Sequence, residues 1–158
     1  MPFLRDAISS DPHCVAADDG HGAWTYEDLD REAGEVAAWL LASGVEAGDV
    51  VALDWPLDRL FLACIHGVWR AGGVAAPLNE RWTGREKVKA LRELAPRFVL
   101  DRSTAATFRR GEKGIPSNPS CWEGREDRTA VRLLTSGTTG SPKTVQLSFR
   151  NLRASALA

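Results

Sequence analysis

The amino-acid sequence predicts an α/β fold, because the apolar runs Val50 to Trp55, Val74 to Pro77 and Arg97 to Leu100 alternate with segments of helical periodicity. A second observation extends that sheet. Thr129 to Thr135 and Thr144 to Ser148 read as strands on either side of a glycine- and hydroxyl-rich turn, which predicts a β-hairpin. The third is size: 158 residues, 44% of them hydrophobic, supply about one domain's worth of core.

Each element has its own local reason. Thr25 is placed to cap a helix with Asp28 in its first turn, and Leu29, Ala33, Val36, Ala37, Leu40 and Leu41 follow at helical spacing until Gly44 ends it. Val50 to Trp55 is a buried strand stopped by Pro56. Leu60 to Trp69 is apolar nearly all round, as a buried helix is, and Gly72 and Gly73 close it. Thr83 with Glu86 forms a capping-box pattern for a charged, exposed helix through Glu93, ended by Pro96. From Asp101 to Arg128 no period is evident, and the segment reads as loop with short elements. Ser148 is placed to cap a final helix starting at Phe149.

The chemistry is concentrated in Thr135-Ser136-Gly137-Thr138-Thr139-Gly140-Ser141-Pro142-Lys143. Gly137 and Gly140 tolerate the positive φ that lets successive backbone N–H groups converge on one anion. The hydroxyls at 135, 136, 138 and 139 add rotatable donors, and Lys143 adds a compact cation. A Walker-type loop requires G-x-x-x-x-G-K-[ST] running into a helix. Here Ser141 and Pro142 stand between Gly140 and Lys143, and the exit alternates like a strand, so a helix starting at Lys143 is the observation that would favour that rival.

Composition excludes several classes. A net charge of −1 with no basic block gives no electrostatic case for nucleic acid or an anionic membrane. No apolar run approaches the ~20 residues of a bilayer-spanning helix. Met1 to Asp6 lacks the pattern of a secretory leader. Cys14, Cys64 and Cys121 are odd in number and form no C-x-x-C pair, so neither a disulfide framework nor a zinc site is expected, and a reducing cytoplasm fits.

The stretch from Thr135 to Lys143, with Val145 and Asn151, resembles the phosphate-loop signature of the adenylate-forming (AMP-binding) enzymes. Three upstream elements resemble that superfamily in the same order. They are Trp24-Thr25-Tyr26-Glu27-Asp28-Leu29, Gly44-Val45-Glu46-Ala47-Gly48-Asp49-Val50-Val51, and Arg70-Ala71-Gly72-Gly73 continuing to Pro77-Leu78-Asn79. The resemblance implies a two-step reaction in the complete enzyme: a carboxylate attacks the α-phosphate of ATP with Mg2+, giving an acyl-adenylate, and a thiol, usually of coenzyme A, displaces AMP. Thr135, Ser136, Gly137, Thr138, Thr139, Gly140 and Lys143 are the expected nucleotide-binding residues; no residue of the chain is assigned to catalysis or to a metal.

The resemblance also implies that the chain is the N-terminal portion of the adenylation domain, with the rest of the large domain and the C-terminal lid beyond it. A fragment, a truncated form and a degraded gene product all fit that reading, and the 158-residue chain alone is expected to be inactive and capable of self-association. The compact layout, and Phe149 where many relatives carry histidine, resemble the o-succinylbenzoate-CoA ligases of menaquinone biosynthesis. Other acyl- or aryl-CoA synthetases, a peptide-synthetase adenylation domain and a non-catalytic nucleotide-binding or interaction module remain alternatives. The expected partner is a small carboxylic acid. His66, inside an apolar helix, reads as a packed histidine rather than a base; His13 and His21 fall in turns, as does Asp18-Asp19-Gly20. Trp55 and Trp69 are expected to pack, and Trp82 and Trp122 to face surfaces that the complete protein covers.

Overall fold

The structure, a computed structural model, describes residues 2–108, 126–135 and 143–156. A short helix, α1 (Pro2–Ser10), leads into an antiparallel pair, β1 (Val15–Asp18) and β2 (Ala23–Thr25). Between the two strands lies the turn read from Asp18-Asp19-Gly20: Asp18 Oδ1 accepts from the Gly20 N–H at 2.9 Å and Asp19 Oδ1 from the His21 N–H at 3.0 Å. Arg59 pins this hairpin, its Nε donating to Asp19 at 3.0 Å and its guanidinium lying 5.2 Å over the Trp24 ring. Gly22 makes room, since a Cβ there would meet Arg59 Nη1 at 2.6 Å.

Helix α2 (Tyr26–Ala42) begins at the expected cap: Thr25 Oγ1 accepts from the Asp28 N–H, and the Asp28 carboxylate accepts from the Thr25 N–H. That N–H, with help from Arg31, holds the Asp28 carboxyl below the usual carboxylate range. Strand β3 (Val50–Leu53) is two residues shorter than predicted at its end, because Trp55 leaves the ladder and donates its indole N–H to Asp58 at 3.0 Å. Asp58 in turn caps α3 (Arg59–Arg70), accepting from the Phe61 N–H at 2.9 Å. Strand β4 (Val74–Pro77) has the predicted limits. Helix α4 (Gly84–Leu94) carries the Thr83/Glu86 box and ends in a left-handed Ala95 (φ 43°) ahead of Pro96. Strand β5 (Phe98–Leu100) follows, then a short helix, α5 (Arg102–Phe108). Strands β6 (Thr129–Thr135) and β7 (Lys143–Ser148) and helix α6 (Phe149–Ala156) complete the described chain.

Five strands form one sheet in the order β5-β3-β4-β6-β7, parallel except for β7. Alternate residues of β3 enter opposite layers, as the period of a strand requires. Val51 and Leu53 join a core with α2 and α3, whereas Val50 and Ala52 pack with Ala90 and Leu94 of α4. Burial on both faces explains why β3 and β4 are apolar throughout. Trp55 and Trp69 are buried as expected, and Trp82 packs half-buried against the α4 layer; Trp122 and Cys121 lie outside the described residues. No helix of the described residues is long and apolar enough to cross a membrane.

The α2–α3 contact is close because Gly67 has no side chain. A Cβ there would fall 2.6 Å from Val36 Cβ and 3.0 Å from the Ala33 carbonyl oxygen. Next to it His66 sits edge-on to Trp69, with centroids 5.3 Å apart and planes at 73°, and its Nδ1 is shielded from solvent without a hydrogen-bond partner. Burial, reinforced by the charge of Arg70, pushes its pKa down to about 4, so it is a neutral packed ring, as its place in the apolar helix suggested.

Two predictions follow from this layer. Gly67→Ala gains about 1 kcal/mol of helix propensity but overpacks against Val36 Cβ and a backbone carbonyl, at a cost of about 1–3 kcal/mol. Urea unfolding is expected to show net destabilisation, larger for Gly67→Val; an unchanged or raised midpoint would mean that the helices can separate freely. His66 supplies a pH dependence. Its folded pKa of about 4 lies below the ordinary 6.5, so the unfolded chain binds more protons in between. Its contribution is complete above pH 6.5 and is lost as pH falls toward 4, by at most about 3 kcal/mol. The unfolding free energy of the wild type is expected to fall relative to that of His66→Phe as pH drops through that window, and a constant difference would contradict a neutral packed imidazole.

Candidate functional site

The predicted hairpin is present. β6 and β7 pair antiparallel, Leu134 opposite Thr144 and Thr135 opposite Lys143, so the ladder closes at the two residues that bound the glycine turn. Lys143 extends the strand one residue beyond the predicted start, and Thr135 Oγ1 donates across the neck to the Lys143 carbonyl at 3.2 Å. Both residues are exposed, and among the described residues the Lys143 ammonium has no acidic partner. Ser136, Gly137, Thr138, Thr139 and Gly140, the other expected phosphate-binding residues, lie outside the described residues. A strand rather than a helix starts at Lys143, which disfavours the Walker-type alternative.

Topology decides what lies near that turn. Because β6 runs parallel to β4, with Val131 opposite Ala75, Thr135 emerges at the edge where β3, β4 and β5 also end. At the same edge a crevice of about 380 Å³ opens between the loops that follow β3, β4 and β5, lined by Asp54, Trp55, Glu80, Lys87, Asp101 and Arg102 among others. The loop after β3 leads to α3 on one face and the loop after β4 leads to α4 on the other, the arrangement that leaves a gap at the carboxyl ends of an open sheet. Lys87 Nζ meets Asp54 at 2.6 Å across this gap. The Ser103 hydroxyl and the Thr104 N–H hold the Asp101 carboxyl below its ordinary range. Sequence reasoning missed the Asp54–Lys87 pair; the available signal was an aspartate just past a buried strand and a lysine in the first turn of the next helix but one.

Beyond the hairpin, the predicted cap of α6 is reciprocal: Ser148 Oγ accepts from the Asn151 N–H at 3.2 Å, and Asn151 Oδ1 accepts from the Ser148 N–H at 2.9 Å. Phe149 turns inward, 5% exposed, and meets Trp69 edge-on. Among the described residues no group of three or more His, Cys, Asp or Glu side chains is placed to hold a metal ion.

Known proteins share this arrangement. A protein from Salinispora arenicola described as "Probable non-canonical nonribosomal peptide synthetase (NRPS) CymA" is 31% identical over 96% of the chain, which spans 2% of that protein's length. The structure of VinN with 3-methylaspartate superposes with a TM-score of 0.80 at 26% identity, over 99% of this chain and 49% of VinN. The o-succinylbenzoate coenzyme A synthetase MenE of Bacillus subtilis, in complex with AMP, has the same fold, with a TM-score of 0.83 at 23% identity over 98% of this chain and 44% of that one. The chain thus spans less than half the length of these relatives. The sequence model of the AMP-binding enzymes matches residues 4–158, taking in the sheet, both helical layers and the hairpin, and on that match the chain belongs to the AMP-binding enzyme family.

Proposed function

We propose that the chain is the N-terminal portion of an adenylation domain, and that its hairpin turn holds the phosphates of ATP while a carboxylic acid attacks the α-phosphate. The observation that carries this reading is the hairpin neck, where Thr135 and Lys143 face each other at the carboxyl edge of the sheet and bound a turn of glycines and hydroxyls. Backbone N–H groups of residues 136–140 and the Lys143 ammonium would offset the charge that develops on departing pyrophosphate. The Thr135 hydroxyl would keep the two ends of the turn together. Magnesium, when bound, supplies further charge neutralisation on the phosphates; the described residues do not by themselves build a site for it.

Peptide synthetases among the relatives, and VinN with its bound 3-methylaspartate, support an amino acid as the acid. A second reading, an o-succinylbenzoate-CoA ligase that uses coenzyme A, is supported by the compact layout of the chain and by the fold it shares with MenE.

Acid-dependent pyrophosphate exchange, measured on the polypeptide that carries this chain, tests both readings. Aspartate-like and other amino acids, o-succinylbenzoate and simple aryl acids form the panel. Lys143→Ala is expected to lower exchange about a hundredfold, in line with the loss of one preorganised charge-stabilising group, and to leave the melting temperature nearly unchanged because the side chain is exposed. Wild-type exchange rates in the folded variant would remove Lys143 from the chemistry. Exchange with o-succinylbenzoate but with no amino acid would favour the second reading.

A further inference from the structure

A turn is placed only as well as the two strands it joins, and one side chain reaches both flanks of this one. The β6–β7 ladder slips by a residue: Thr129 faces Ser148 and Val131 faces Leu147, which leaves Ala130 as an extra residue on β6. Such an insertion bends its strand and weakens pairing locally. Ala130 is fully buried, and its carbonyl accepts a 2.7 Å hydrogen bond from Nε1 of Trp69, 61 positions earlier at the end of α3. The same indole meets the Phe149 ring at 5.3 Å and 68°, and Phe149 is the residue immediately after β7. Trp69 therefore grips β6 by its N–H and the exit of β7 by its ring.

Other restraints also act on the hairpin. β6 is registered to β4 at Ala75 opposite Val131, the side chains of Val131, Leu133 and Leu147 pack against the core, and the Phe149 and Arg150 N–H groups donate to the Arg128 and Glu126 carbonyls. Arg150 with Asp127 and Arg153 with Glu126 tie α6 to the entry of β6, but these pairs are solvated and contribute little. A one-residue slip of β6 would send every side chain beyond it to the opposite face and separate Thr135 from Lys143. Filling the core does not require the N–H, since a bicyclic ring of the same shape without it would bury the same apolar surface. The N–H is the part that selects a register, because without it the Ala130 carbonyl is buried and unpaired.

We propose that Trp69 is a positioning residue for the phosphate turn: its indole N–H locks the bulge at Ala130, its ring locks Phe149, and together they hold the register in which Thr135 faces Lys143. This rests on the reading of the turn as a phosphate site. The test replaces Trp69 with benzothienylalanine, which keeps the bicyclic shape and lacks the N–H, and separately with phenylalanine, in the polypeptide that carries this chain. Amide hydrogen exchange is followed by segment, and binding of ATP and of inorganic pyrophosphate is measured by calorimetry. Both variants are expected to exchange about tenfold faster in residues 129–135 and 143–148 and to bind both ligands about tenfold more weakly, with α2 and β3 protected as in the wild type. Faster exchange throughout the domain, or hairpin exchange and binding like the wild type, overturns the assignment of Trp69. Failure of the wild type itself to bind either ligand overturns the phosphate reading and with it the positioning role, an outcome separate from normal binding that is indifferent to residue 69.

Discussion

Burial of β3 and β4 on both faces is the constraint from which the rest of the architecture follows. A strand covered on two sides has no face for a polar side chain, so every chemically useful group must be carried where the strands end. The small residues Ala52, Ala75 and Ala76 let both helical layers approach the sheet, and Gly67 lets α3 approach α2 in the same way. Volume is therefore tightly set through the centre of the domain, and the two layers are rigid supports for whatever the edge loops hold.

At that edge, parallel topology gathers groups that are distant in sequence. Asp54 follows β3, Glu80 follows β4, Asp101 follows β5 and Thr135 ends β6, and all lie on one side of the sheet because those four strands run the same way. β7 alone runs back, which turns the end of β6 into a hairpin and brings Lys143 to the same edge. The Lys87–Asp54 pair, formed between an α4 side chain and the exit of β3, ties that helix to the carboxyl edge of the sheet. A nucleotide held at the turn would thus rest on a scaffold whose faces are apolar and whose rim is charged.

Much of this was legible in the sequence where one local rule had no competitor. The reciprocal caps at Thr25/Asp28 and Thr83/Glu86 fix helix starts through hydrogen bonds between near neighbours, and both are present as read. β4 ends at Pro77, where the chain loses a backbone donor, and the hairpin was visible from alternation on both sides of the turn. Less legible were the elements stabilised from a distance. The β1–β2 pair is short and half exposed, and its anchor is Arg59, forty positions away by the separation of its hydrogen bond with Asp19. The helix over Arg102–Phe108 is capped by Asp101 but lies in a segment without a hydrophobic period. The bulge at Ala130 left no trace in the pattern, because one extra residue in a seven-residue strand looks like ordinary irregularity.

The long reach of Trp69 to Ala130 also implies an order of assembly. Helices α2 and α3 and strands β3 and β4 are neighbours in sequence and close short loops, whereas the indole bond spans 61 positions and cannot form until β6 docks on β4. The two helical layers and the central strand pair would then be structured in the folding transition state, and the hairpin would be added afterwards. In kinetic terms, truncation at Gly67's partner Val36 would slow folding, while loss of the Trp69 bond would act almost wholly on the unfolding rate.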